Sequence, residues 1–141
     1  MDGPAGREPR DRLRPDPESA QGWRNNLSLH VIKGGPAGGG FSTVGDLQRF
    51  AQALLNGRLV SVTALENLWS DHAGAGYGCG FSVAEGPAGK VVGHSGGFPV
   101  INSNLDILVD HGYVVAVMSN YSGAARALAE RIRGLVERTE G

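Results

Sequence analysis

The sequence predicts an α+β fold: an antiparallel sheet of about four strands with a C-terminal helix packed on it, preceded by short helices. Three observations carry this. Apolar residues recur at helical spacing only over 43–69 and 123–137. Between them, residues 77–119 break into short alternating or continuous apolar runs separated by glycine-rich turns. Every connection within that stretch is too short for a parallel crossover, so neighbouring strands must pair antiparallel.

The elements follow in order. Residues 1–22 hold four of the seven prolines among mixed Arg, Asp and Glu and lack apolar periodicity, so a disordered or loop-like segment is expected there. The folded domain is expected over 23–141. Residues 23–33 read as short and partly extended. Residues 34–40 (GGPAGGG) read as a loop that lacks the Lys-Ser/Thr ending of a phosphate loop, so nucleotide binding is not expected. Thr43 can cap a helix, with Asp46 placed to reach back to the cap amide. Leu47, Phe50, Ala51, Leu54 and Leu55 continue that helix, and Asn56-Gly57 ends it. Ser61 can cap a second short helix carrying Leu65, Leu68 and Trp69. Strands are expected at 77–83, 90–95, 101–109 and 113–119, with turns at 86–89 and 110–112. The run 113–119 (YVVAVMS) is apolar enough to be central. Residues 123–137 form an amphipathic helix with Leu128, Ile132, Leu135 and Val136 on one stripe. Arg126, Glu130, Arg131 and Arg133 lie mostly off it.

Composition excludes several classes of function. Basic residues number 13 and acidic residues 14, which argues against a nucleic-acid partner held by phosphate contacts. No apolar run approaches the length of a membrane span, and no signal-peptide pattern opens this chain, so no compartment is assigned. The single cysteine, Cys79, excludes an intrachain disulfide and reads as a packed small residue in an apolar strand. His30, His72, His94 and His111 are scattered without zinc spacing, so neither a metal nor another cofactor is expected. Asp71-His72 and Asp110-His111 read as turn residues, and His72-Ala73-Gly74 as loop. Glycine, at 23 residues, is about twice its usual fraction, and its clusters suggest tight turns and close backbone approach.

One stretch bears on chemistry. Gly93-His94-Ser95-Gly96-Gly97 fits the G-x-S-x-G nucleophile elbow of an α/β-hydrolase. An elbow needs a helix directly after the serine, and here Phe98-Pro99-Val100 and a further strand follow. It also needs an acid and then a histidine well downstream. Asp106, Asp110 and His111 lie too close to Ser95 for that order. The elbow is rejected, leaving a glycine-rich strand whose His94 and Ser95 point to opposite faces.

A second reading rests on wider similarity. Residues 36–57 (PAGGGFSTVGDLQRFAQALLNG), 77–81 (YGCGF), 93–107 (GHSGGFPVINSNLDI) and 114–120 (VVAVMSN) together resemble the serine β-lactamase-like hydrolases. That family includes class C β-lactamases, D-alanyl-D-alanine carboxypeptidases and related esterases, and its complete members are often exported. The resemblance implies part of a β-lactamase/transpeptidase-like fold over 23–141. It also implies acyl transfer from an amide, β-lactam or ester through an acyl-serine. The family's third motif, Lys-Thr-Gly or His-x-Gly on a strand lining the active site, falls on His94-Ser95-Gly96, with Ser95 non-nucleophilic. Gly97 would offer its backbone N–H to the oxyanion hole, with Phe98 beside it on the substrate-binding stretch. His94 would assist near the reacting centre. One departure is Val100, where similar sequences usually carry glycine.

The other two family motifs are missing. The lysines are Lys33 and Lys90, preceded three residues earlier by His30 and Pro87, so this sequence has no Ser-x-x-Lys. The tyrosines are Tyr77, Tyr113 and Tyr121, followed two residues later by Cys79, Val115 and Gly123, so there is no Tyr-x-Asn, and no Ser-x-Asn occurs. The resemblance therefore implies the C-terminal portion of a hydrolase domain, inactive alone. It would meet a small-molecule or peptide-like substrate only when completed by the missing motifs. An unpaired sheet edge would favour self-association. The alternative is a small non-catalytic binding or assembly module derived from the same fold.

Overall fold

A computed structural model describes residues 13–15, 23–25, 34–87 and 89–140. Two short strands, β1 (Leu13–Pro15) and β2 (Trp23–Asn25), pair antiparallel with Leu13 opposite Asn25. The rest of 1–33, including His30 and most of the segment expected to be loop-like, lies outside the described residues.

Helix α1 (Val44–Leu55) starts where the sequence places it. The Asp46 amide donates to Thr43 Oγ1 at 3.1 Å. The Thr43 hydroxyl in turn donates to Asp46 Oδ2 at 2.7 Å. Aspartate is one methylene shorter than the glutamate of a full capping box. Asn56 caps the C-terminus and Gly57 turns the chain at φ 63°. Helix α2 (Val62–Leu68) is capped by Ser61, whose Oγ accepts from the Ala64 amide at 3.2 Å.

The main sheet is an antiparallel meander in the order β3 (Ser82–Gly86), β4 (Gly89–Phe98), β5 (Ile101–Leu108), β6 (Tyr113–Ser119). Two expectations are corrected here. Residues 77–81 are a loop, because Gly76 and Gly80 take φ of 72° and 82° and the Gly78 amide closes a turn on the Phe81 carbonyl at 2.8 Å. The strand runs from 82 to 86 instead. The apolar β6 lies at an edge of the sheet, not its centre. Its composition reflects two covered faces: Val114 and Ala116 pack with the α1/α2 cluster, and Val115 and Val117 with α3.

Strand alternation divides the core in two. Val92, Leu105 and Ile107 face Ala51 and Leu54 of α1 and the buried Trp69. Val91, Leu108 and Val115 face α3 (Ala124–Glu140). The α3 stripe is corrected too. Ala125 and Ala129 are fully buried, whereas Leu128 and Leu135 are 49% and 50% exposed. Small residues let the helix sit close on the sheet, and Ile132 and Val136 complete the contact. Arg133, expected off the stripe, turns in and pairs with the buried Asp106 at 3.4 Å.

Candidate functional site

The site is built on β4, whose two halves have different surroundings. The first half is enclosed. Register with β3 runs from Gly86–Gly89 to Ser82–Gly93 and stops there. Pairing with β5 continues from Val91–Leu108 to Phe98–Ile101. From His94 onward, therefore, β4 is paired through β5, and β3 leaves its other edge uncovered. Gly93 is buried, and a Cβ there would overlap the Leu105 carbonyl oxygen. Its own carbonyl accepts from Ser82 Oγ at 2.9 Å. Glycine at 93 is thus required by the sheet itself.

Gly97 has no such requirement, and Gly96 only a weaker one. Added Cβ atoms would meet Ser103 Oγ at 3.3 Å and Asn102 Nδ2 at 3.6 Å, and both residues are exposed. The missing side chains leave bare backbone facing solvent. Its direction follows from one hydrogen bond. Asn102 Nδ2 donates to the Gly96 carbonyl at 2.8 Å, so that carbonyl points toward β5. No peptide bond is cis. In a trans peptide the following N–H points the opposite way, so the Gly97 amide points to the open edge of β4.

His94 and Ser95 fall on opposite faces, as alternation requires. His94 is on the face of Val92 and is exposed. Its ring meets Tyr77 edge-on, with centroids 6.0 Å apart and planes at 75°. Ser95 is on the α3 face. There it lines a shallow cleft of 450 Å³ with Gly97, Asn102, Gly123, Arg126 and Glu130. Arg126 Nε donates to Glu130 Oε1 across this cleft at 3.0 Å. No helix follows Ser95: β4 runs on to Phe98, then turns into β5. Asp106 is paired with Arg133, and Asp110 accepts the Lys90 amide at 2.9 Å. The arrangement is not that of a nucleophile elbow. Phe98 ends β4 on the His94 face, 39% exposed.

The β4–β5 turn carries the one left-handed non-glycine residue among those described. Val100 sits at φ 59°, buried, with its amide donating to Ser122 Oγ at 3.1 Å. A β-branched residue is strained in that region. Asn102 anchors the same turn from the other side. Its Oδ1 accepts the amides of Ala125 and Arg126 at 2.9 and 3.3 Å, which caps α3 and ties the helix to the Gly96 peptide. Sequence reasoning missed Asn102, whose only signal is a polar residue at the start of an apolar strand. It also missed Tyr77 as a neighbour of His94, because the alternation over 77–83 predicts a strand there.

Cys79, expected to be packed in a strand, is an exposed loop residue whose amide donates to the Leu68 carbonyl at 3.0 Å. His72 lies in the loop after α2, with Nε2 3.3 Å from the Asn67 carbonyl. Two carboxyls are held below their usual range. The amides of Gly76 and Ala75 lower Asp71, and the Thr43 hydroxyl, followed by Arg49, lowers Asp46. Among the described residues there is no group of three or more His, Cys, Asp or Glu placed to hold a metal, and no helix long and apolar enough to cross a membrane.

Comparison with curated proteins and with solved structures gives no match. A family model described as Beta-lactamase matches residues 1–138. That match takes in the helices and the whole β3–β6 sheet with its His94–Gly97 strand, and the chain belongs to the beta-lactamase family.

Proposed function

We propose that this chain supplies the third-motif wall of a serine acyl-transfer site. In this role His94 and Gly96 face the substrate, Gly97 donates its amide to the developing oxyanion, and Phe98 borders the bound acyl group. Ser95 is an ordinary alcohol on the far face of the strand. The observation that carries the reading is the open half of β4. There a bare glycine backbone presents an outward amide beside an exposed imidazole, and the strand's own packing does not demand glycine at 97. The nucleophile and its proton-transfer partners belong to Ser-x-x-Lys and Tyr-x-Asn segments, which these 141 residues do not contain. The chain alone is therefore proposed to be inactive.

The test is complementation. A Ser-x-x-Lys and Tyr-x-Asn segment from a family carboxypeptidase or esterase is supplied in cis or as a separate chain, and ester or peptide hydrolysis is measured. Activity is expected to appear, and His94→Ala is expected to lower kcat about 10²-fold with little change in KM, as for loss of a group acting in the transition state. Undiminished turnover in His94→Ala would refute the assignment.

Exposed apolar side chains support a second element of the proposal. Phe41 is 82% exposed and Val62 68%. They lie near the ends of α1 and α2, and the uncharged strand β6 is a sheet edge. The chain alone is expected to self-associate with rising concentration in sizing experiments. A sharp monomer peak with a cooperative thermal transition would favour a self-sufficient binding module instead.

A further inference from the structure

The loop between α2 and β3 is fixed at several points, and its Tyr77 meets the histidine of the site. Asp71 follows the buried Trp69 at the end of α2. Its Oδ1 accepts the Ala75 amide at 2.9 Å and its Oδ2 the Gly76 amide at 2.6 Å. The Gly76 carbonyl accepts the Val83 amide at 2.9 Å, tying the loop to β3. The Cys79 amide donates to the Leu68 carbonyl at 3.0 Å, tying it to α2. At Gly78 a Cβ would overlap that same Leu68 carbonyl oxygen, so the loop lies flat on the helix end. Tyr77, between these ties and 44% exposed, meets His94 edge-on.

We infer that Asp71 is a positioning residue of the site: by clamping the 71–81 loop it stands Tyr77 against His94 and fixes the orientation of the imidazole. The inference rests on the proposed role of His94. An exposed side chain on an open strand has rotamer freedom that a ring packed against it removes. Placement matters because a misplacement of about 1 Å at a reacting centre can cost about 10²-fold in rate. Both carboxylate oxygens are used, each on one amide, so neutral asparagine keeps a single acceptor and alanine keeps none. The amides of Gly76 and Ala75 hold the Asp71 carboxyl below its ordinary 3.8. The clamp is therefore complete above pH 3.8 and is lost as pH falls below it, through the lowered value of the folded chain.

The test reads the His94 ring directly in the isotopically labelled full chain. Tyr77→Leu should remove the ring-current shift from the His94 ring protons. Asp71→Ala should move those signals in the same direction, and Asp71→Asn part of the way. Methyl signals of Val91 and Val115, on the far face of the sheet, should stay in place and report an intact fold. If Asp71→Ala fails to fold, wild type should still show a step in the His94 signals below pH 3.8 that is absent in Asp71→Asn. Unmoved His94 signals in Asp71→Asn, together with no such step in wild type, would overturn the inference. These readouts need no turnover, so they separate the two ideas. A kinetically silent His94→Ala in the completed protein refutes the role of His94, and with it the functional half of this inference, whatever the shifts show. Kinetic dependence on His94 with unmoved shifts refutes the clamp alone.

Discussion

The two halves of β4 are continuous backbone with opposite constraints. From Val91 to Gly93 the strand is paired on both edges, and Val91 and Val92 fill the cores on its two faces. From His94 to Phe98, among the described residues, it keeps only β5 as a strand neighbour and is exposed. Both halves are rich in glycine, for different reasons. Gly93 is small because the sheet has no room for more. At Gly97 the sheet has room for a side chain, and at Gly96 a Cβ would press only on the Ser103 hydroxyl at 3.3 Å. A shared residue type thus covers one position set by folding and two that the proposal assigns to substrate.

Glycine-to-alanine exchange sharpens that contrast. Gly93→Ala should have the largest effect, about 3 kcal/mol or outright failure to fold, because its methyl meets a backbone oxygen held in the ladder. Urea unfolding of the variant checks it, and a loss below ~1 kcal/mol would mean the two halves are not packed differently. Val100→Gly should fall in the middle. Releasing φ 59° recovers about 1–2 kcal/mol of left-handed strain, while losing the buried side chain costs about 1.5–3, leaving a net loss near 1 kcal/mol. Val115→Gly, which deletes a comparably buried valine from an extended strand, should cost clearly more under the same denaturant. Equal losses would show that the turn at Val100 carries no strain. Gly97→Ala should be smallest, within about 0.5 kcal/mol of wild type. A large loss there would mean that glycine at 97 serves the fold, removing the main support for a substrate surface.

Much of this architecture was legible in the chain because it depends on short-range signals. Thr43, Ser61, Asn56-Gly57 and the 113–119 strand act through caps, turns and alternation, which one window of sequence displays. The misreadings share a different cause. Residues 77–81 alternate like a strand, yet Gly76 and Gly80 adopt positive φ under ties to α2 and β3 that no local pattern reveals. On α3 the sheet selects Ala125 and Ala129 over Leu128 and Leu135, because close approach outweighs side-chain size. The position of β6 at an edge was hidden because its two faces are covered as those of a central strand would be. For the proposed site, the motif singles out His94 through Gly97 as candidates. The direction of the Gly97 amide was not legible, since it follows from the bond between the Gly96 carbonyl and Asn102, six residues away across the turn.

That amide offers the most direct test. The ¹⁵N-labelled chain, completed with a Ser-x-x-Lys and Tyr-x-Asn segment, is treated with a fluorophosphonate, and the adduct is mapped by mass spectrometry. A phosphonyl oxygen seated in an oxyanion hole draws a strong hydrogen bond from its donors. The proposal predicts an adduct on the supplied serine, none on Ser95 above a heat-denatured control, and a downfield shift of the Gly97 amide proton on labelling. Stoichiometric labelling of Ser95, or an unmoved Gly97 amide beside a fully labelled serine, would contradict it.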